Sequence, residues 1–412
     1  MVKPGLSRAW VVWGVAALFY LYEMVLRVSP SVMTNELMVS FNATSTMLGV
    51  IVSFYYYSYT LLQVPCGLIL DKLGPRNLIG LSAILCVVGS ALFAIAQHVF
   101  IAAIGRFLIG AGSACAFISC LQIVSQMFPI NYFPILAGIT NMMGTLGSLF
   151  GGVPVAKAVT SIGWQETIYC LLAIGVLIVA LIFISIPKNI YTKAVKNIPI
   201  TTAIRNMAFN KQVILSGIVA GLMYLTISVF SELWATPFFA AKYNITSETA
   251  AIASSVLFIG FAIGGIITAY IARILKSYIK TIKIGIFASA CLFFPLIFTD
   301  ISMYTSFIIV LLLGLFTGAE VLCFTSSKNN TNNDVSGTTI AFTNALIMLI
   351  GSIFQPLFGM ILDLFWNGRI SDAGIRIYEA SCYKYAIATL PICLIVAYVL
   401  SIFMKETIHT EK

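Results

Sequence analysis

Two opposite charges stand four residues apart in a long apolar run near the start of the chain. At this spacing Glu23 and Arg27 share one face of a helix, and Tyr20 lies on that face one turn earlier. A guanidinium binds a carboxylate through paired hydrogen bonds, whereas a carboxylate binds an amine or carries a proton. The spacing therefore indicates either a site for a small charged solute or a buried ion pair that fixes helix packing.

Three more charged residues fall inside apolar runs, namely Arg106, Glu232 and Glu320. Charges in such runs are costly, and they usually serve function. A carboxylic acid in a low-dielectric cavity can exchange a proton near neutral pH, so Glu23, Glu232 and Glu320 are candidates for proton coupling. Arg106 is a second candidate, beside Arg27, for binding negative charge. The alternative for Glu320 is a water-filled vestibule at the end of its run.

Tyrosines crowd another apolar run, at Tyr55, Tyr56, Tyr57 and Tyr59. Successive residues of a helix point in different directions, so one or two of them can face a cavity. Tyr56 and Tyr59 share a face with Gln63, and we predict these two tyrosines as solute contacts. The alternative is ordinary aromatic packing.

Membrane-spanning helices must position these residues. Of the 412 residues, 60% are hydrophobic and 9% are charged, whereas soluble domains contain about 25% charged residues. The apolar runs are continuous and have the length of about 20 residues that crosses a bilayer, which excludes a β-barrel. We predict an all-α polytopic membrane protein with twelve transmembrane helices, embedded in lipid and without a nucleic-acid partner. The predicted spans are 9–33, 46–70, 78–98, 101–125, 135–157, 166–187, 212–237, 249–272, 282–299, 304–325, 338–362 and 383–404.

Basic residues orient the chain. It has 23 lysines and arginines against 14 acids. Sixteen of the basic residues fall at the membrane side that carries the two termini, and five fall at the opposite side. This asymmetry is typical of cytoplasmic loops. We therefore predict a multi-pass protein of the cell inner membrane with both termini cytoplasmic.

The chain divides near its midpoint. Segment 188–211 carries five basic residues, and we predict it to be a cytoplasmic linker between an N-terminal six-helix bundle, 1–187, and a C-terminal one, 212–412.

An internal repeat supports this division. Thr-Asn occurs at 140–141 and 343–344, and Gly-Ser occurs at 147–148 and 351–352. Both offsets are close to half the chain length, which indicates two pseudo-symmetric copies of one bundle. Asn344 is then a candidate substrate contact, and the alternative is a hydrogen bond that joins two helices.

A polar loop between the second and third spans reads GLILDKLGPR. Gly67 permits close helix packing, and Gly74 with the following proline forms a tight turn. Asp71 can pair with Arg76 or accept hydrogen bonds at a helix N-terminus. We predict that Gly67, Asp71, Gly74 and Arg76 form a gate that opens when the bundles rock. The alternative is a simple polar turn.

This loop resembles the G-x-x-x-D-R/K-x-G-x-R signature of the major facilitator superfamily, and GRFLIGAG at 105–112 resembles its R-F-L-x-G-x-G motif. The resemblance covers the whole chain. It implies two six-helix bundles, a central substrate cavity and alternating access without ATP. It also implies a role for Arg106 in substrate binding or proton transfer. The second copy of the loop signature, at 265–273, has Ala269 in place of the acid, which counts against a symmetric latch.

A narrower resemblance rests on YEMVLRVSPSVM in the first span, ELW at 232–234 and TNALIMLIGSIFQP in the eleventh span. These segments are similar to a bacterial branch that includes the phagosomal nutrient permeases of intracellular Gram-negative bacteria. The branch is associated mainly with amino-acid uptake. The fifth span lacks the Gly-Pro pair of the antiporter pattern, which disfavours an exporter.

Other chemistries have no support in the sequence. It contains no nucleotide-binding or catalytic-triad motif. The nine cysteines form no C-x-x-C pair, Cys382 alone is placed in a loop, and there are two histidines. We therefore predict no enzyme activity, no cofactor, no metal site and no disulfide framework.

These observations predict a secondary active transporter. We expect it to be a monomer that imports a small carboxylate-bearing metabolite, in the first place an amino acid, together with a proton. The alternatives are an organic-anion or sugar-acid symporter, in which Arg27 and Arg106 both bind negative charge, an exporter, and a non-transporting nutrient sensor.

Overall fold

The structure is a computed structural model that describes residues 6–129, 132–188, 205, 207–331, 336–371 and 374–406. Within the helices it does not describe the side chains of 64, 67–73, 134, 336 and 337. The described residues are almost entirely helical, and one isolated β-bridge joins Ile370 and Arg376.

Eleven helices in the described part of the chain are long and apolar enough to cross a membrane, and one bent helix pair brings the number to twelve. The pair, Thr34–Phe41 and Ser45–Gln63, bends by 106° and corresponds to the second predicted span. The all-α polytopic fold is therefore confirmed. We number the spans 1 to 12 in chain order, with the bent pair as span 2. The others are Leu6–Val32, Gly74–Ala94, Val99–Met127, Ile135–Ile162, Trp164–Ser185, Lys211–Tyr243, Ser247–Leu275, Tyr278–Phe298, Met303–Asn329, Thr338–Leu364 and Ala380–Ser401.

Breaks in the α-helical hydrogen bonding of spans 1, 7 and 10 lie close to charged residues. Span 1 is α-helical over Leu6–Val28 and continues as a 3-10 turn, Ser29–Val32, because Pro30 has no amide hydrogen. Span 7 contains a π-helical segment, Thr226–Trp234, and span 10 contains a 3-10 turn, Gly318–Glu320. Such breaks leave backbone carbonyl groups that other donors must satisfy. Each break lies at or next to a charged residue that the sequence analysis identified.

The chain forms two compact units. The first contains residues 1–33 and 54–197, and the second contains residues 34–53 and 198–412. Span 2 therefore contributes its beginning to the second unit and its remainder to the first. The predicted linker falls largely on 189–204 and 206, which lie outside the described residues, and the predicted bundle boundaries stay a prediction.

Glycines bring helix backbones into contact inside each unit. In the first unit, a Cβ on Gly110 of span 4 would lie 2.1 Å from the carbonyl oxygen of Tyr55 in span 2. In the second unit, a Cβ on Gly314 of span 10 would lie 2.2 Å from the carbonyl oxygen of Leu257 in span 8. Small residues allow this close approach in membranes. Because Gly110 and Gly314 are separated by the offset of the sequence repeat, the two units repeat the same internal packing.

In the repeated Thr-Asn pair, the threonine hydroxyl rather than the asparagine amide forms the hydrogen bond between helices. Trp13 of span 1 donates from Nε1 to the hydroxyl of Thr140 in span 5 at 3.1 Å. In the second unit, the hydroxyls of Thr343 and Ser327 are 2.7 Å apart. Asn141, by contrast, is exposed. The side chains that join helices here are therefore the threonines of the repeated pairs, Thr140 and Thr343, and not the asparagines that follow them.

Two expectations about cysteines are wrong. Cys66 of span 2 and Cys115 of span 4 form a disulfide, although their spacing follows no recognisable pattern in the sequence. Cys382 is buried inside the helix Ala380–Ser401 rather than in a loop. The polar residues that flank Cys382 belong to the first turns of span 12, which explains the misplacement.

Candidate functional site

The charge pair of span 1 lies beside the tyrosines of span 2 in the first unit. Glu23 and Arg27 are 1% and 3% exposed. Tyr55 donates a hydrogen bond from its hydroxyl to Oε2 of Glu23 at 2.9 Å. The guanidinium carbon of Arg27 lies 5.2 Å from the ring centre of Tyr56 and 5.7 Å from that of Tyr55. A cation–π contact orients a guanidinium through its face, whereas a carboxylate binds at its N–H edge. The rings of Tyr55 and Tyr56 therefore orient the Arg27 guanidinium through its face.

Arg106 fixes the backbone on which Arg27 stands. It donates from Nη1 to the carbonyl oxygen of Leu26 at 2.7 Å and from Nη2 to that of Arg27 at 3.3 Å. In a continuous α-helix the Leu26 carbonyl accepts from residue 30, but residue 30 is proline. Arg106 and the hydroxyl of Ser29, which donates to the same oxygen at 3.1 Å, supply donors in its place, so these bonds of Arg106 position the backbone of span 1. Its expected direct role in solute binding or proton transfer stays a prediction.

The tyrosine that contacts Glu23, Arg27 and Arg106 is Tyr55, which the sequence analysis did not select. Tyr55 touches Glu23 as described, and its ring centre lies 5.0 Å from the guanidinium carbon of Arg106. Tyr59 stacks on Tyr55 at 5.9 Å between ring centres, and Tyr56 meets it edge-on at 5.5 Å. Helical periodicity selected Tyr56 and Tyr59, which both pack against Tyr55, and their role as solute contacts stays a prediction. It could not tell which face of span 2 lies against span 1.

The second unit holds the two remaining acids, each at a helix break. Glu232 lies within the π-helical segment and is 3% exposed. Glu320 ends the 3-10 turn of span 10, is 2% exposed, and has no hydrogen-bond or ion-pair partner among the described residues. This burial disfavours a water-filled vestibule. A buried carboxylate of this kind in a membrane protein is a candidate for function.

Gln355 of span 11 supports the break that contains Glu232. Its Nε2 donates to the carbonyl oxygen of Ser228, and its Oε1 accepts from Nε1 of Trp234 at 3.0 Å. Gln355 thus serves the break in span 7 as Arg106 serves the break in span 1. A lone glutamine in an apolar run gave no sequence signal of this role. Asn344, also in span 11, is half-buried and forms no side-chain hydrogen bond with the described residues.

The described part of the chain contains no group of three or more His, Cys, Asp or Glu side chains that could hold a metal ion.

The family model of the Major Facilitator Superfamily matches residues 12–356. This range includes the loop signature and the five charged residues of the apolar runs, namely Glu23, Arg27, Arg106, Glu232 and Glu320. The chain belongs to the major facilitator superfamily. It is therefore a transporter and not an enzyme, as the sequence predicted.

One superfamily relative is a probable sulfoacetate transporter of Cupriavidus necator, which is 26% identical over 174 residues. The match covers 42% of this chain and 40% of the relative, so the chain matches less than half the length of that curated relative.

Solved structures share the superfamily fold along the whole chain. A bacterial homologue of the human lysosomal transporter Spinster, in an inward-facing and occupied conformation, has a TM-score of 0.79 at 15% identity, with 99% of this chain and 98% of that chain covered. A D-xylose–proton symporter has a TM-score of 0.68 at 14% identity, with 97% and 98% covered. At these identities the likeness concerns the fold alone.

The structure describes part of the superfamily's loop signature. The side chains at 67 and 71, and with them the contacts of Asp71, lie outside the described residues. Gly74 has a φ of 71° and breaks the helix, a conformation that glycine adopts readily. Arg76 donates from Nη2 to the carbonyl oxygen of Phe183 at 2.6 Å, near the end of span 6, where a basic group stabilises a helix. The gating roles of Gly67, Asp71, Gly74 and Arg76 stay a prediction.

An acid near the end of the described chain caps the helix that follows the second copy of the signature. Glu406 accepts hydrogen bonds from the backbone nitrogens of Tyr278 and Ile279 at 2.7 and 3.2 Å, and from the hydroxyl of Ser277. These residues begin span 9, where a carboxylate stabilises the helix N-terminus. Sequence comparison of the two loops could not find Glu406, because it follows span 12.

Proposed function

We propose that this transporter imports a small carboxylate-bearing metabolite, an amino acid, by alternating access and with proton symport. The observation that carries the proposal is the buried cluster of Glu23, Arg27 and Tyr55. In the proposed complex Arg27 binds the substrate carboxylate, and Glu23, oriented by Tyr55, binds the amine. Opposite charges on one helix face match the two ends of a zwitterion.

Further contacts complete the proposed substrate site. Tyr56 and Tyr59 form its aromatic wall, Arg106 holds Arg27 in place, and Asn344 contributes an amide from span 11. Gly67, Asp71, Gly74 and Arg76 form the cytoplasmic gate.

Proton coupling is assigned to the acids Glu23, Glu232 and Glu320. Among these three acids, Glu320 is the strongest candidate for proton coupling, because it is buried at a helix break without a hydrogen-bond or ion-pair partner among the described residues. A D-xylose–proton symporter shares the fold.

The proposal places the protein in the cell inner membrane as a monomer with both termini cytoplasmic. The 16 to 5 distribution of basic residues supports this orientation. The bundles at 1–187 and 212–412, joined by 188–211, are the proposed moving parts.

A second candidate is the symport of an organic anion, favoured by the similarity to a probable sulfoacetate transporter. An arginine fork binds a sulfonate or a carboxylate in the same way. In this case Arg27 and Arg106 both serve the negative charge of the substrate, and Glu23 does not touch it.

The deciding experiment is uptake into proteoliposomes of radiolabelled amino acids and organic anions, with and without an imposed proton gradient. Amino-acid uptake that rises with an inward proton gradient would support the first proposal. Uptake of sulfonates or dicarboxylates without amino acids would favour the second. Equal uptake with and without the gradient would contradict proton symport. Lys157→Gln removes one positive charge at an exposed lysine. Its uptake, measured in the same way, is the control for loss of positive charge as such.

A further inference from the structure

A row of polar side chains on span 2 continues from the tyrosine ring that lies over Arg27. Tyr56, Thr60 and Gln63 are separated by four and three residues of one helix, so they share a face of it. The ring centre of Tyr56 lies 5.2 Å from the guanidinium carbon of Arg27. All four residues belong to the first compact unit. The row therefore begins at the arginine proposed for the substrate carboxylate and extends about two turns along span 2.

Two buried oxygen atoms in this row have no hydrogen-bond partner among the described residues, namely Oγ1 of Thr60 and Oε1 of Gln63. The Gln63 residue is 5% exposed. By contrast, Ser58 on the same helix donates from its hydroxyl to the carbonyl oxygen of Tyr55 at 3.0 Å. Buried polar atoms are costly when they have no partner. The two oxygens therefore indicate hydrogen bonds to a group that binds from outside the chain.

Helix geometry brings these two oxygens toward one another. Residues three apart are neighbours on a helix surface, and side chains lean toward the N-terminus of their helix, so the Gln63 side chain extends back toward Thr60. The rise from Tyr56 to Thr60 is about 6 Å, at about 1.5 Å per residue. A ligand that binds at Arg27 through a carboxylate therefore reaches both oxygens with an arm of about this length.

The two oxygens also select the chemistry of that arm. The amide oxygen of Gln63 only accepts hydrogen bonds, and the hydroxyl of Thr60 accepts them as well. A primary amide has two N–H donors, one for each oxygen, and it carries no charge. An ammonium or a guanidinium has more donors than the two oxygens accept, and its charge would be buried against neutral groups. A hydrocarbon arm would leave both oxygens without a donor.

We propose that Thr60 and Gln63 form an amide subsite, which binds a terminal primary amide on the side chain of the substrate. In this arrangement Tyr56 packs on the aliphatic part of the side chain, and the two amide N–H groups donate to the two oxygens. Glutamine has five bonds between its carboxyl carbon and its amide nitrogen, which extend to about 6 Å. The length of the arm rests on the proposed carboxylate contact at Arg27, whereas the amide subsite itself rests on the two oxygens.

The test compares ligands that differ only in the amide. Norleucine has a side chain of glutamine length without the amide. Glutaramate is glutamine without its α-amine, and hexanoate lacks the amide of glutaramate. In binding isotherms with the purified parent protein, we expect glutamine to bind at least about tenfold more tightly than norleucine, and more tightly than lysine. Norleucine would leave both oxygens buried without a donor. This comparison requires no variant to fold.

Two substitutions then remove one hydrogen-bonding oxygen each. Thr60→Val and Gln63→Leu should each weaken glutamine binding about tenfold without weakening the binding of norleucine. Thr60→Ser keeps the hydroxyl and should keep the preference for the amide. Thr167→Val is the control for the first change, because the Thr167 hydroxyl already donates to the carbonyl oxygen of Gly163 at 2.7 Å. Gln165→Leu, at an exposed glutamine, is the control for the second.

The outcomes separate the amide subsite from the proposed amino-acid substrate. Equal binding of glutamine and norleucine, or tighter binding of lysine, would overturn the subsite and leave an amino-acid substrate in place. A preference for glutamine that persists unchanged in folded Thr60→Val and Gln63→Leu would also overturn it. Binding of glutaramate about tenfold more tightly than hexanoate, in a protein that binds no amino acid, would support the subsite and contradict the proposed substrate. A protein that binds none of these ligands would contradict both.

Discussion

The guanidinium of Arg106 donates to the carbonyl oxygen of Leu26, the acceptor that Pro30 leaves without its α-helical donor. This bond joins span 4 to span 1 one residue before Arg27. The position of the proposed substrate-binding arginine therefore depends on the hydrogen bonds that a second arginine donates to backbone carbonyl groups. Gln355 makes the corresponding bond to Ser228 at the break in span 7, so both units support a broken first helix by a buried side-chain donor.

The first prediction concerns the support that Arg106 gives to span 1. Arg106→Ala should lower the free energy of unfolding by about 1.5–3 kcal/mol, the range for hydrogen bonds to a charged group. The measurement is thermal unfolding of the purified protein without substrate, and Arg106→Lys should recover part of the loss. Arg8→Ala, at an exposed position, is the control. An unchanged Tm together with lost substrate affinity would mean that Arg106 acts on the substrate instead.

A second prediction separates the two substrate proposals at Glu23 and Arg27. Arg27→Ala should weaken substrate binding about a hundredfold, because it removes the charged partner of a buried anion. Glu23→Gln should weaken the binding of an amino acid to a similar degree, whereas it should leave an organic anion bound as tightly or more tightly. Binding isotherms of both ligand classes on each variant provide the measurement. If Arg27→Ala binds like the parent protein, the charge pair only fixes helix packing.

A third prediction concerns the hydroxyl of Tyr55. Tyr55→Phe removes the donor to Glu23 and should reduce amino-acid affinity about tenfold, as expected for loss of a hydrogen bond to a charged acceptor. Tyr57→Phe is the matched control, since the Tyr57 ring packs edge-on against Phe54 and its hydroxyl makes no hydrogen bond among the described residues. Equal affinities in the two variants would remove Tyr55 from the site.

The sequence predicted those features of the fold that depend on composition and period. Twelve spans followed from apolar runs long enough to cross a bilayer, and the repeat followed from Thr-Asn and Gly-Ser pairs whose offsets are both close to half the chain length. Glu23, Arg27 and Arg106 were found because charges in apolar runs are costly. These signals are local, and each can be read within one helix.

The missed features depend on which distant helices meet. Tyr55 and Tyr56 are chemically alike and adjacent, so only the packing of span 2 on span 1 distinguishes them. The Asp363 carboxylate accepts from the backbone nitrogen of Thr46, and the Glu406 carboxylate accepts from those of Tyr278 and Ile279. Both acids cap helices that are far away in sequence, and neither stands out from other acids at the ends of spans. The disulfide of Cys66 and Cys115 likewise joins two spans with no spacing rule between them.

A fourth prediction tests the proton role of Glu320. Glu320→Gln keeps the shape of the side chain but cannot carry a proton. We expect proteoliposomes with this variant to lose accumulation driven by a proton gradient, whereas exchange of labelled for unlabelled substrate should continue within about threefold of the parent rate. Glu166→Gln, at an exposed acid, is the control. Persistence of gradient-driven accumulation would exclude Glu320 and leave Glu232 or Glu23 as the coupling acid.

The last prediction concerns the glycines that the two units share by repetition. Gly110→Ala and Gly314→Ala each place a methyl group within about 2 Å of a backbone carbonyl oxygen on the neighbouring helix. Overpacking of this kind costs about 1–3 kcal/mol, so both variants should unfold at lower temperature. Gly138→Ala should instead raise stability by about 0.5–1 kcal/mol, because its Cβ meets open space and alanine favours helix. The measurement is the unfolding temperature of each of the three variants, compared with that of the parent protein in the same detergent. A similar decrease for Gly110 and Gly314 would support equivalent packing in the two halves, whereas a decrease in one alone would confine the tight contact to that unit.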